Sequence, residues 1–189
     1  MKIAGPVRNA VGSMVFAYRL PGDNDPAWVA SAMVKAPEQQ ALATILDPRF
    51  DPSRIAIVDS SAAVQTQALQ TLPPAPTTRA TVTAASPGAY DISLEPPASA
   101  GQALVVSENY FPGWRATADG KPAVVARMNF NLVGVALPAG ARAVQLRFTD
   151  AAYEKGKVVT LVALLVALVV WIGGWFVERR RSVPAAMPA

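Results

Sequence analysis

From Thr81 onward, hydrophobic and polar positions alternate with a period of two. Thr81, Thr83 and Ala85 alternate with Val82 and Ala84, and Tyr90, Ile92 and Leu94 with Asp91, Ser93 and Glu95. Leu104–Val106, Trp114–Ala118, Val124–Arg127, Leu132–Leu137 and Val144–Phe148 extend the pattern to about seven short strands. Turn residues fall between them at Pro87-Gly88, Pro112-Gly113, Asp119-Gly120 and Pro138-Ala139-Gly140. Asp119-Gly120 predicts a type I′ hairpin, because both central positions of that turn need residues tolerant of positive φ. In the last strand Val144, Leu146 and Phe148 share one face, and Gln145, Arg147 and Thr149 the other. Short strands at this spacing predict a mainly β chain, with an antiparallel β-sandwich over residues 79–150.

Ahead of that region the rhythm is mixed. Val15–Leu20 and Trp28–Val34 read as short strands around the turn-forming run Pro21-Gly22-Asp23-Asn24-Asp25-Pro26. A helix is expected over residues 37–46. Pro37 suits its first position and Glu38 its first turn, while Ala41, Leu42, Ile45 and Leu46 make an apolar face. Pro48 stops it, and Ile55–Val58 reads as a buried strand. Residues 1–58 are thus expected to form a small α/β lobe. Residues 59–78, rich in Ala, Gln, Ser, Thr and Pro, are expected to be a linker.

The last rhythm is no alternation at all. Val158–Val177 reads VVTLVALLVALVVWIGGWFV, a run without a charge in which Thr160 is the only hydroxyl. At about 1.5 Å per residue such a run spans roughly 30 Å, the hydrocarbon thickness of a bilayer. A transmembrane helix is expected over 158–177, followed by a tail over 178–189.

Composition sharpens this. The chain has no cysteine, which excludes disulfides and thiolate metal sites, and no histidine. The missing histidine removes the usual general base and the commonest ligand for metal, haem or chlorophyll-type pigment. No cofactor and no metal are expected. The net charge is +4 and the pI about 9.7, yet Arg179, Arg180 and Arg181 supply much of that charge beside the apolar run. The remaining cations are scattered, so a membrane anchor explains the balance and a nucleic-acid partner is not expected. By the positive-inside rule this cluster favours a cytoplasmic C-terminus, but Lys155, Lys157, Arg142 and Arg147 nearly balance it from the other end.

Residues 103–148 carry a resemblance. The turns Asn109-Tyr110-Phe111-Pro112-Gly113-Trp114, Asp119-Gly120-Lys121 and Pro138-Ala139-Gly140 stand between apolar strands, with Leu46–Pro52 upstream and a hydrophobic helix downstream. This arrangement resembles the C-terminal extracytoplasmic domain and last helix of YfhO-like bacterial membrane proteins. Those are polytopic proteins thought to act as lipid-linked sugar transferases. The resemblance implies a periplasmic N-terminal domain and a cytoplasmic C-terminus in the bacterial inner membrane. The multi-helix region expected to hold the family's catalysis has no counterpart in these residues, so transferase activity is not expected.

Several side chains are candidate sites. Trp114, after the Pro-Gly turn, and Tyr110 can stack on a sugar ring, although burial in a small β core is the commoner use of such aromatics. Asp47, Arg49, Asp51 and Arg54 crowd one turn, where local bonds are the expected use. Asp23-Asn24-Asp25 lacks the ligand spacing of a calcium loop. Glu108 and Asp119 have no motif that makes them a glycosidase pair. No nucleophile elbow, P-loop or GxGxxG occurs, and no catalytic residue is assigned. On the hydrophobic run, Trp171 and Trp175 share a face. Trp175 suits the aromatic belt at the membrane surface, and Trp171 lies deeper, where its indole N–H needs a protein, lipid or pigment partner. Ala163 with Ala167, and Gly173-Gly174, allow close helix packing. The expectation is a non-catalytic, single-pass accessory subunit of a larger membrane complex: respiratory, photosynthetic reaction-centre–antenna, or envelope. A carbohydrate or lipid-linked-sugar binding module serving a separate transferase is the alternative.

Overall fold

A computed structural model describes residues 2–19, 25–66 and 68–181, except the side chains of Val177, Arg180 and Arg181. Two compact units divide the chain, residues 1–147 and 148–189. The first is mainly β, and the second is built on one long helix.

The first unit opens with β1 (Lys2–Arg8) and β2 (Met14–Tyr18), which pair antiparallel as a two-stranded ribbon. Next come β3 (Ala27–Ala30), β4 (Ala32–Ala36), α1 (Glu38–Ile45) and β5 (Ile55–Asp59). Eight further strands follow: β6 (Arg79–Ser86), β7 (Ala89–Glu95), β8 (Ala103–Asn109), β9 (Trp114–Ala118), β10 (Lys121–Ala123), β11 (Val125–Met128), β12 (Leu132–Ala136) and β13 (Ala143–Phe148). All the strands expected beyond residue 79 are present, and β10 is additional. Val124 breaks the run so that β10 stays with β9 in one sheet while β11 crosses to the other.

Two sheets make the sandwich. One has the order β10-β9-β13-β7-β6, the other β3-β8-β12-β11-β5-β4. Period-two alternation dictates what lies between them. Ile92 and Leu94 from β7, Trp114 from β9, and Val144 and Leu146 from β13 meet Val29, Leu104, Val106, Val133 and Val135 from the second sheet. The Asp119-Gly120 hairpin forms as expected, with φ of +47° and +77° and Lys121 paired to Ala118.

The second sheet closes on itself. Only Ser31 separates β3 from β4, yet these strands stand at opposite ends of the pairing order. Two residues of extended chain reach no further than about 7 Å, so the sheet must curl until one bent strand serves both its edges. Its other face is then an interior, filled by Ala30, Met33, Ala56, Val58, Ala103, Val105, Ala126 and Met128, with Val64 beside them. Small residues are required there. A Cβ on Gly134 would stand 2.1 Å from the Met128 sulfur.

This closure revises the expected division of the chain. The α/β element exists, as β4 and β5 run parallel across α1. However, its strands belong to the same curled sheet as β8, β11 and β12, so residues 59–78 do not separate two domains. The Pro-rich stretch is fastened to the sheet. Arg54 Nε and Nη2 donate to the carbonyls of Pro73 and Leu72, and Ser31 Oγ donates to that of Pro74.

Candidate functional site

The second unit is dominated by α2 (Ala151–Arg181), 31 residues or about 46 Å long. Asp150 caps it: its Oδ1 accepts from the N–H groups of Ala152 and Tyr153 at 2.7 and 3.1 Å. Over Ala151–Phe176 the helix is long and apolar enough to cross a membrane, and none of it is buried. The described helix begins seven residues before the expected run, because Asp150 starts it and Gly156 does not stop it.

Its chemistry suits an apolar surround. The Thr160 hydroxyl, the only one in the charge-free run 158–177, donates to the Gly156 carbonyl at 2.9 Å. At about 100° per residue, Ala163, Ala167 and Gly174 fall within about 40° of one another. Gly173 lies outside that face, so the two glycines do not form one patch. A Cβ on either would meet no atom within 4 Å. Trp171 is 71% exposed. Trp175 meets Phe176 edge-on at 5.1 Å, and the Arg179 guanidinium lies over its ring at 4.0 Å. That stack places a cation and an indole together at the end of the apolar span, the arrangement of a membrane-surface anchor. Arg180 and Arg181 have side chains outside the described residues.

In the sandwich, the candidates resolve into structural roles. Trp114 is 6% exposed, its Nε1 donates to the Asn109 carbonyl at 3.2 Å, and its ring lies 6.1 Å from that of Tyr90. It therefore has no face to offer a sugar. Tyr110 packs against the same core. Glu108 accepts from the Tyr90 hydroxyl at 2.8 Å, which pushes the Tyr90 pKa up. The Asp119 carboxylate accepts from the backbone N–H groups of Arg142 and Ala143 and ties the hairpin to β13. Glu108 and Asp119 are thus each held by a different set of partners. Around the 47–54 turn, Arg49 Nε and Nη2 grip Asp47 at 3.0 and 2.6 Å, holding its carboxyl below the ordinary range, and Asp51 accepts from Ser53. Asp23 and Asn24 lie outside the described residues.

One cluster escapes sequence reasoning. Asp59 accepts from the Ser61 hydroxyl at 2.5 Å and from Arg127 Nη2 at 2.6 Å, and Glu38 lies 3.4 Å from the same guanidinium. The Ser61 hydroxyl and then Arg127 lower the Asp59 pKa to about 2. Arg127 and Asp59 are 68 positions apart, so no local pattern announces the pair. Next to it, Asn129 closes the sheet: its N–H donates to the Ile57 carbonyl, and its Oδ1 accepts from the Ile57 N–H at 2.9 Å. These bonds hold Asn129 and Phe130 at φ of +45° and +75°.

Fold and helix together define a class: a mainly β protein with one C-terminal helix able to span a membrane. Compared with known proteins, the chain matches no family model, no curated protein and no solved structure.

Proposed function

We propose that this chain is a non-catalytic, single-pass accessory or scaffold subunit of a larger integral-membrane complex. Its β-sandwich lies on the periplasmic face of a bacterial inner membrane, and the C-terminus is cytoplasmic. The observation that carries this reading is the contrast between α2, apolar and wholly exposed, and a sandwich whose candidate polar side chains all serve its own fold. An apolar helix of this length needs lipid or other helices around it. The face of Ala163, Ala167 and Gly174 suits close approach of a neighbouring helix, and Trp171 offers an indole N–H to a protein, lipid or pigment partner. The complex is of the respiratory, photosynthetic reaction-centre–antenna or envelope kind. Burial of Trp114 counts against the alternative of a sugar-binding module, since it removes that module's stacking surface.

The test is purification from native membranes in mild detergent through a C-terminal tag. A fixed set of integral-membrane proteins should co-purify in stoichiometric amounts. It should be lost when residues 158–177 are replaced by an unrelated apolar helix. A chain that elutes alone, or with glycolipid only, would sink the scaffold reading.

A further inference from the structure

The β1–β2 ribbon buries almost nothing of itself. Ile3, Val7, Val11, Met14, Val15, Phe16 and Tyr18 are all exposed, Val11 at the tip by 84%. An isolated two-stranded hairpin is marginal in water, and contiguous exposed apolar surface marks an interaction site. The ribbon is nevertheless a defined object. Asn9 Oδ1 accepts from the N–H groups of Val11 and Ser13 and fixes the tip loop. Phe16 lies across Gly5, where a Cβ would stand 2.9 Å from the Phe16 Cα.

Its chemistry selects one partner. By register, Met14, Phe16 and Tyr18 share a face, with Arg8 opposite Met14 and Lys2 opposite Tyr18. The Lys2 ammonium sits 4.2 Å from the centre of the Phe16 ring. A row of aromatic and thioether side chains, with a cation at each end and no acidic residue anywhere in 2–19, is complementary to an anionic lipid interface. A protein partner of ordinary mixed charge demands no such one-sided composition. Depth is limited as well. Among the described residues neither strand has a neighbour on its outer edge, and such an edge forbids the hydrocarbon core but not the hydrated headgroup layer.

We infer that the β1–β2 ribbon is a second membrane contact, seating Val11, Met14, Phe16 and Tyr18 in the interfacial layer of an anionic bilayer through Lys2 and Arg8. The inference rests on the reading of α2 as a membrane anchor, which keeps lipid at high local concentration around the first unit.

The absence of cysteine gives the test directly. Val11→Cys, Met14→Cys and Val166→Cys are made separately in the full chain, spin-labelled, and placed in nanodiscs with or without phosphatidylglycerol. Collision with oxygen and with a water-soluble nickel chelate then reports depth. Labels at 11 and 14 should be shielded from nickel and open to oxygen in the anionic discs. Lys2→Gln and Arg8→Gln should each weaken that seating about five-fold. Water exposure at 11 and 14 in anionic discs, with position 166 in lipid, overturns the ribbon contact and leaves the anchor standing. Water exposure at 166 overturns the anchor and the ribbon proposal with it. Shielding at 11 and 14 from both probes means burial against protein, and dipolar broadening between labels means a second copy. Either result overturns the bilayer as occupant.

Discussion

The sandwich core and α2 are made of the same residues and use them in opposite ways. Leucine, valine and alanine fill both. Leu104, Val135 and Leu146 are wholly buried, whereas Leu164, Leu165 and Val169 are more than half exposed. The core was selected against water by period-two alternation, which supplies one apolar face per strand and a partner sheet to cover it. The helix has no alternation and no polar stripe, so no orientation of it against a single partner face removes all its apolar surface. One region is closed by its own chain, and the other must be closed from outside. Stability of the first is a property of the protein, and that of the second a property of its surroundings.

The same truncation in both regions gives the largest contrast. Leu104→Ala or Leu146→Ala removes a side chain with no exposed surface and should cost about 2–5 kcal/mol. Leu164→Ala or Leu165→Ala should leave the unfolding of the sandwich within about 0.5 kcal/mol of the parent. Circular dichroism of the strands during denaturant unfolding in detergent reads both. A helix truncation that weakened the sandwich as much as a core truncation would break the contrast. A charge reverses the ranking. Leu165→Arg, near the helix centre, should cost about 3 kcal/mol of membrane insertion without touching sandwich stability. Alkaline extraction of membranes checks it: the variant should move toward the soluble fraction with its β spectrum intact.

How tightly the inside is closed can be measured at Gly134. The interior of the curled sheet has room for the Met128 side chain only because Gly134 has none. Gly134→Ala forces that methionine to move and should cost about 1–3 kcal/mol. Met128→Ala, destabilising alone through the cavity it leaves, should recover part of the loss in the double variant. By contrast, Gly174→Ala meets open space on the helix and should not change sandwich unfolding at all. Additivity of the Gly134 and Met128 changes would mean that the contact does not govern the site.

What could be read from the sequence follows the range of the forces involved. The Asp119-Gly120 turn is legible because two adjacent residues determine it, and its φ angles are those the type I′ turn demands. Helix α1 at Glu38–Ile45 sits inside the expected 37–46, since its start and stop signals are local. However, Pro37 is its N-cap and not its first residue, and of the expected apolar face only Ala41 is buried. The curled sheet is not legible in this way. Nothing near Ser31 says that the strand before it pairs with β8 and the strand after it with β5. The prolines of 59–78 look like a linker because they lack N–H donors. Their carbonyls remain acceptors, and Arg54 and Ser31, 19 and 43 positions away, use them as anchors. Trp114 is a different case. Both of its uses, core anchor and stacking platform, fit the same local pattern, and only the position of Tyr90 and Asn109 decides between them.

The smallest contrast lies in how the two units use charge. Glu154 and Lys157 on α2 are both exposed and 3.7 Å apart, a pair whose removal should be barely measurable. Asp59 and Arg127 meet at 2.6 Å with most of each side chain covered, and Ser61 adds two further donors to the same carboxylate. The folded-state pKa of Asp59 is therefore about 2, below the ordinary 3.8. A depressed folded pKa means that the unfolded chain binds the proton first on acidification. The stabilisation is thus complete above about pH 4 and lost as pH falls through about 2. Asp59→Asn should lower stability at neutral pH by about 1 kcal/mol, because both partners keep some contact with water. The difference from the parent should shrink across the window from pH 4 to 2. Denaturant unfolding at a series of acid pH values would record it. A variant whose deficit stayed constant down to pH 2 would show that Asp59 holds this end of the curled sheet by shape and neutral hydrogen bonds alone, with its charge contributing nothing.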